Sequence, residues 1–252
     1  IIILVCKLKL NFFIFQNKTI VGDIKNNFLK FKNAYKNAER KKSDFFLTSE
    51  LALCGYPPKD LIFRDDFINK LETYKKKIIN LTQSKKTIFV LGTIVKDHSS
   101  LFNAALVIKN GKIIKEIRKS VLPNQGVFDE KRYFFEDNVD KQFLNFKNKN
   151  IKFLICEDIW NETVIECLSE TGAEIIISIN ASPYTTKKID QRMSVAVSRV
   201  FESKLPLIYL NRVGGQDELV FDGSSFCLSH DGELTVQLND FKEEILNIDL
   251  YK

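Results

Sequence analysis

The feature that most constrains this chain is an alternation of short apolar runs with longer amphipathic segments, interrupted by two hairpin signals. Phe12–Phe15, Phe45–Thr48, Thr87–Val95, Ile151–Cys156, Ile175–Asn180 and Leu207–Asn211 are short and mostly apolar, the pattern of buried strands. Between them, Ile24–Lys41, Asp65–Leu81, Asn161–Glu170 and Asp190–Glu202 carry helical spacing, and Gly172 suits the stop of the third. Ala104–Ile108 and Ile113–Ile117 flank Asn110-Gly111, a two-residue turn signal, and Ser224–Leu228 joins Leu234–Leu238 through Asp231-Gly232. Helices between strands favour parallel pairing, whereas hairpins force antiparallel pairing. The chain is therefore predicted to be α/β, with a mixed sheet or two sheets and helices outside. No linker-like stretch or internal repeat divides it, so one domain is expected.

Composition removes several function classes. Lys and Arg number 38 against 32 acidic residues, a net charge of +6. The lysines fall in short runs (Lys41-Lys42, Lys75–Lys77, Lys85-Lys86) rather than one stripe. That pattern suits solvated helix faces and predicts no nucleic-acid partner. Ile1–Cys6 is apolar but too short to span a membrane and has no basic stretch before it, so no membrane partner is expected either. Five cysteines without a CxxC pair, and only two histidines, argue against a disulfide framework or a metal site and for a reducing, cytoplasmic setting. The first residue is Ile rather than Met, which predicts that the chain is part of a longer protein.

Three ionisable residues stand at the ends of strand-like runs. Cys156 closes Ile151–Ile155 and precedes a helical pattern, whose positive end would favour a thiolate. Taken alone, a buried structural cysteine is the commoner fate of such a residue. Neither His98 nor His230 has a strand-end context, so a catalytic Cys156 would take a carboxylate as its base. Glu50 closes Phe45–Ser49 and Lys119 follows Ile113–Ile117, so all three are expected to converge on one edge of a sheet. Cys54, Cys167 and Cys227 read as core fillers, and Gly214-Gly215, without a following Lys-Ser/Thr, as a turn.

Five ordered stretches carry a family resemblance. Ser49–Leu61, with its Gly-Tyr-Pro-Pro-Lys-Asp-Leu tail, Arg118–Phe134, Ile155–Trp160, Asn180–Tyr184 and Asn211–Asp217 resemble the motifs of the nitrilase (carbon–nitrogen hydrolase) superfamily. Within it they are most similar to the glutaminase domain of glutamine-dependent NAD+ synthetases. The resemblance implies a four-layer α-β-β-α sandwich over residues 8–252, with Cys156 as nucleophile towards the side-chain amide of L-glutamine. It implies Glu50 as general base, Lys119 as the charge that stabilises the tetrahedral intermediate, and Glu130 as a second glutamate that orients the lysine. Read without the family, Glu130 could equally be a surface acid paired with Lys131 or Arg132.

By the same resemblance Gln125, Ser182 and Lys188 would touch the substrate, although the family commonly has Tyr where Gln125 stands. No cofactor is implied for the glutaminase step. ATP and Mg2+ belong to a synthetase domain whose Ser-Gly-Gly-x-Asp-Ser loop is not in this sequence. A synthetase domain or subunit and a second copy of the chain are the implied partners. Two rival readings remain at this stage: a stand-alone hydrolase of another small amide, which Gln125 favours, and a non-catalytic interaction domain, which the Glu50–Lys119–Cys156 set disfavours.

Overall fold

The computed structural model describes residues 9–138, 142–163 and 172–250. Two six-stranded sheets stack face to face. The first is built from β1 (Leu10–Gln16), β2 (Phe45–Leu47), β3 (Ile88–Asp97), β4 (Ser100–Lys109), β5 (Lys112–Arg118) and β14 (Glu244–Leu250), in the order β14-β1-β2-β3-β4-β5. The second contains β6 (Phe143–Phe146), β7 (Lys149–Ile155), β8 (Ile175–Ile179), β9 (Leu207–Leu210), β12 (Phe226–Leu228) and β13 (Leu234–Gln237), in the order β13-β12-β9-β8-β7-β6. β1, β2 and β3 in the first sheet and β7, β8 and β9 in the second pair parallel, and every other neighbouring pair is antiparallel.

Side-chain alternation explains the layers. Along β1, Phe12 and Ile14 point between the sheets while Phe13 and Phe15 point outward. The inward set packs with Ile151, Phe153 and Ile177 of the second sheet in one apolar cluster. The outward set of the first sheet is covered by α1 (Ile24–Arg40) and α2 (Asp65–Leu81), and that of the second by α3 (Lys188–Ser203). Helix α1 starts where the Asp23 carboxylate accepts the Asn26 N–H and buries a stripe at Ile24, Asn27, Phe31, Ala34, Tyr35 and Ala38. The arrangement is the four-layer α-β-β-α sandwich that the motifs imply.

The β4–β5 hairpin turns through Asn110 and Gly111, both at positive φ (48° and 75°), as a two-residue primed turn requires. Strands β12 and β13 also pair as expected. Gly214 and Gly215 do not form a turn. They lie in β10 (Val213–Gln216), which pairs with β11 (Leu219–Asp222), and the reversal comes later, where Asp217 takes a φ of 52°. The expected helix over 161–170 and the core position of Cys167 lie outside the described residues. No helix among the described residues is long and apolar enough to cross a membrane.

Candidate active site

Glu50, Lys119 and Cys156 meet at one end of the sandwich, but not on one sheet edge as their strand-end positions suggested. Glu50 follows β2 and Lys119 follows β5, both in the first sheet, whereas Cys156 follows β7 in the second. The cluster therefore forms where the open ends of two facing sheets come together.

Local chemistry fixes each arm. Beyond β2, the Thr48 N–H donates to the Val90 carbonyl at 3.1 Å and the Leu53 N–H to the Gly92 carbonyl at 3.1 Å, which binds the Glu50 segment to β3. Position 92 accommodates only glycine, because a Cβ there would fall 2.0 Å from the Ser49 carbonyl oxygen. The Lys119 N–H donates to the Asn103 carbonyl at 2.8 Å, an extension of the β4–β5 ladder. Cys156 takes a φ of 48° and opens a 3-10 turn, Cys156–Trp160. A non-glycine residue held in the left-handed region carries a modest conformational cost, which the surrounding packing of the buried Cys156 must offset.

The ammonium of Lys119 lies between two carboxylates. Its Nζ is 2.8 Å from Glu50 Oε1, and 2.9 and 2.8 Å from Glu130 Oε1 and Oε2. Asn103 Nδ2 donates to Glu50 Oε1 at 2.7 Å, the Ala181 N–H donates to Glu50 Oε2 at 2.9 Å, and the Tyr56 hydroxyl donates to Glu130 Oε1 at 2.9 Å. Lys119, Glu50, Glu130 and Cys156 are 0, 1, 4 and 6% exposed, so these bonds replace those that water would otherwise supply. Glu130 is a buried partner of Lys119 rather than a surface acid paired with its neighbours.

Electrostatics set the resting protonation. Burial drives the Cys156 thiol well above its ordinary range; Glu50 adds to the rise and Lys119 opposes it. The thiolate expected from a following helix dipole is thus not the resting form, because desolvation beside a carboxylate outweighs the weak dipole of a short 3-10 turn. Burial works against the charge on Lys119, but Glu130 and Glu50 outweigh it and hold the ammonium well above the usual lysine range. Burial pushes Glu130 up to about 7, helped by Glu50 and resisted by Lys119. The site at rest thus holds a neutral thiol, a locked cation and closely spaced carboxyls. That arrangement can pass a proton from sulfur to a carboxylate when an electrophile arrives.

The other sequence candidates occupy different positions. Ser182 follows Ala181 directly and is buried. Its N–H donates to Asn211 Oδ1 at 2.9 Å, and its hydroxyl accepts from Arg192 Nε at 3.0 Å. Lys188 begins α3 with its Nζ 4.1 Å from the centroid of the Trp160 ring; burial lowers its pKa, Cys156 within electrostatic range counters that, and Arg192 adds to it. Gln125 is exposed on the loop after Pro123, where its carbonyl accepts the Phe128 N–H at 3.1 Å. His98 does occupy a strand end, at the β3–β4 turn, but its side chain is exposed there. Cys54 and Cys227 are buried and free. Among the described residues no group of three His, Cys, Asp or Glu side chains is placed to hold a metal ion.

Sequence reasoning missed the residues that hold the site in place. Arg192 pairs with both oxygens of Asp222 at 2.8 Å and donates to the Ser182 and Pro183 carbonyls at 2.7 and 2.9 Å. Arg199 donates to the Ile159 carbonyl at 3.0 Å and so grips the turn that carries Cys156. Arg212, wholly buried, donates to the Tyr56 and Thr19 carbonyls at 2.6 and 2.7 Å. A signal existed for two of these. Arg192 and Arg199 share the stripe of α3 occupied by Ala196 and Val200, an inward face on which an arginine must have a partner. Asn103, in the middle of β4, offered no such signal.

Comparison with known proteins identifies the family and the fold. The family model described as carbon-nitrogen hydrolase matches residues 14–251. Glutamine-dependent NAD(+) synthetase from Acinetobacter baylyi is 36% identical over 228 residues, covering 89% of this chain and 41% of that protein. The enzyme of the same name from Thermotoga maritima is 38% identical over 239 residues, covering 93% and 41%. The chain thus spans about two-fifths of the length of these curated relatives. Among solved structures, glutamine-dependent NAD+ synthetase from Acinetobacter baumannii superposes with a TM-score of 0.88 at 30% identity, covering 96% of this chain and 45% of that one. An amidase of the nitrilase superfamily from Nesterenkonia AN1 superposes with a TM-score of 0.86 at 18% identity over 96% of this chain and 90% of its own.

Proposed function

The chain belongs to the carbon–nitrogen hydrolase family, and we propose that it is a glutamine amidohydrolase domain which releases ammonia from L-glutamine for the ATP-dependent amidation of deamido-NAD+ by a synthetase domain or subunit. The observation that carries this reading is the buried hydrogen-bonded set around Lys119, formed by Glu50 and Glu130 beside Cys156. Relatives that share the sequence at 36–38% identity bear the name glutamine-dependent NAD(+) synthetase, which supports glutamine as substrate.

The mechanism follows from the resting state. The Cys156 thiol is protonated, so attack on the amide carbon requires a base, and Glu50 takes the proton as the carbon–sulfur bond forms. Three donors aimed at its two oxygens (Lys119, Asn103 and the Ala181 N–H) fix the direction of that carboxylate. Negative charge then develops on the amide oxygen in a water-poor site where the fixed Lys119 ammonium stabilises it. Collapse of the intermediate transfers the proton from Glu50 to the departing ammonia and leaves a glutamyl thioester on Cys156. Glu50 next activates water, which hydrolyses the thioester and restores the thiol. Glu130, oriented by Tyr56, keeps Lys119 charged and in place.

Ser182, Lys188 and Gln125 form the substrate side of the proposal. Lys188, on the first turn of α3 and within range of Cys156, supplies a cation for the substrate's α-carboxylate. The glutaminase step uses no cofactor; ATP and Mg2+ act in the partner domain. Free buried Cys54 and Cys227 suit a reducing cytoplasm, and assembly with further copies of the chain is part of the same reading. Ammonia release from L-glutamine, with L-asparagine as control and with and without an added synthetase domain, tests it. Glutamine-selective release supports the assignment. Faster turnover of other small amides than of glutamine, with the partner present, would transfer the site to a stand-alone amidase.

A further inference from the structure

Two of the catalytic arms stand on different sheets, and the sheets meet through apolar side chains. Such packing fixes volume but has little directional preference, whereas hydrogen bonds to a carboxylate are short and directional. A buried carboxylate spans the gap beside the site. Asp158, two residues after Cys156 and fully buried, accepts at Oδ1 from the Ser120 and Val121 N–H groups at 3.0 and 2.9 Å. Its Oδ2 accepts from the Ile155 N–H at 2.9 Å and from Gln142 Nε2 at 3.1 Å. Oδ1 thus grips the residues that follow Lys119 in the first sheet, and Oδ2 grips the residue before Cys156 in the second. Gln142 closes the frame, since its Nε2 also lies 3.0 Å from the Arg118 carbonyl and 2.7 Å from Ser120 Oγ, on both sides of Lys119.

We infer that Asp158, with Gln142, is a positioning strut that sets where the Lys119 ammonium stands relative to the Cys156 sulfur. The inference rests on the roles proposed above for Cys156 and Lys119. Asp158 does not touch the reacting atoms in this account; it acts through the two backbones it joins. Burial pushes its carboxyl up to about 6, and the Ile155 amide, the Lys119 charge and the Val121 and Ser120 amides pull it down, so at neutral pH it is the acceptor that all four donors require. Glu50 also crosses between the sheets, through the Ala181 N–H, but Glu50 is itself a reacting group. Asp158 makes its crossing independently of the chemistry, so it can be altered while the base, the cation and the thiol all remain.

Asp158→Asn tests this, because the near-isosteric amide turns an NH2 group towards donors that need an acceptor. Two readouts are taken on the full chain: glutamine turnover with the synthetase domain added, and the rate at which iodoacetamide alkylates the Cys156 peptide at pH 8. The expected results are a kcat lower by ~100-fold with KM changed less than about threefold, the loss typical of roughly 1 Å of misplacement, and alkylation slowed about tenfold as the thiol loses its cation. A lower melting temperature with an unchanged kcat, or with unchanged or faster alkylation, would overturn the strut. If Asp158→Asn does not fold, Gln142→Met decides. It removes one donor and keeps the volume, and is expected to slow kcat and alkylation by several-fold; wild-type values for both would overturn the inference. Alkylation that responds to Asp158→Asn while the parent protein releases no ammonia from glutamine would sink the glutaminase reading and leave the strut standing.

Discussion

The two sheets enclose two regions that are equally buried and chemically opposite. Between the sheets, Phe12, Phe45, Phe153 and Ile177 belong to one buried apolar cluster. At the open end of the same sheets, Glu50, Lys119, Glu130 and Asp158 are just as inaccessible, yet each oxygen or nitrogen that matters has a named partner. The first region is held by surface removed from water, which depends on volume and tolerates small changes in shape. The second is held by mutual satisfaction of charges, so the loss of one partner leaves another buried and unpaired. The chain thus folds through one region and works through the other. The two should respond to substitution in opposite ways.

The largest expected effect is at the centre of the charged region. Lys119→Met leaves Glu50 and Glu130 without their shared cation and is expected to cost about 3–5 kcal/mol in denaturant unfolding, with glutamine turnover at background. Gly92→Ala comes next. Its methyl would overlap the Ser49 carbonyl, so the Glu50 segment must shift, with an expected loss of ~1–3 kcal/mol from overpacking and ~10-fold in kcat from misplacement.

A pH series sharpens the comparison further. The folded state holds a proton on Glu130 up to about pH 7, whereas an unfolded glutamate releases it near about 4.3. Stability from this group is full below the unfolded value and is lost as pH rises through about 7. Glu130→Gln should remove that slope, narrowing the difference in stability between pH 5 and pH 8 by about 2–3 kcal/mol. Asp158, raised to about 6, is left to supply the remaining slope. The smallest effect is expected between the sheets. Ile177→Val should cost about 0.5–1.5 kcal/mol and leave kcat unchanged. A fall in kcat there would erase the distinction between the two regions.

The apolar region was largely legible in the sequence, because strands covered on both faces must be apolar throughout and helices on their outer faces must show spaced stripes. Phe12 to Phe15 and Asp65 to Leu81 announced themselves in that way. Glu50, Lys119 and Cys156 were legible as strand-end residues, but not the fact that they belong to two sheets. Which faces stack is decided by long-range packing that no local pattern records. Gly214 and Gly215 were misread as a turn because a glycine pair looks the same in a turn and in a short paired strand. Asn103 and Asp158 showed nothing at all, since a polar residue inside a strand or after a cysteine reveals its partner only in three dimensions.

The most direct test of the central claim, that Cys156 attacks and Glu50 takes its proton, is acid-quench mass spectrometry. The chain is turned over with L-glutamine beside its synthetase partner, and the Cys156 peptide is examined. A hydroxylamine-labile gain of one glutamine less one ammonia is expected on that peptide. Both adduct and ammonia release should be absent in Cys156→Ala, and both should be strongly reduced in Glu50→Gln. Ammonia release that persists at the parent rate in Cys156→Ala would contradict it.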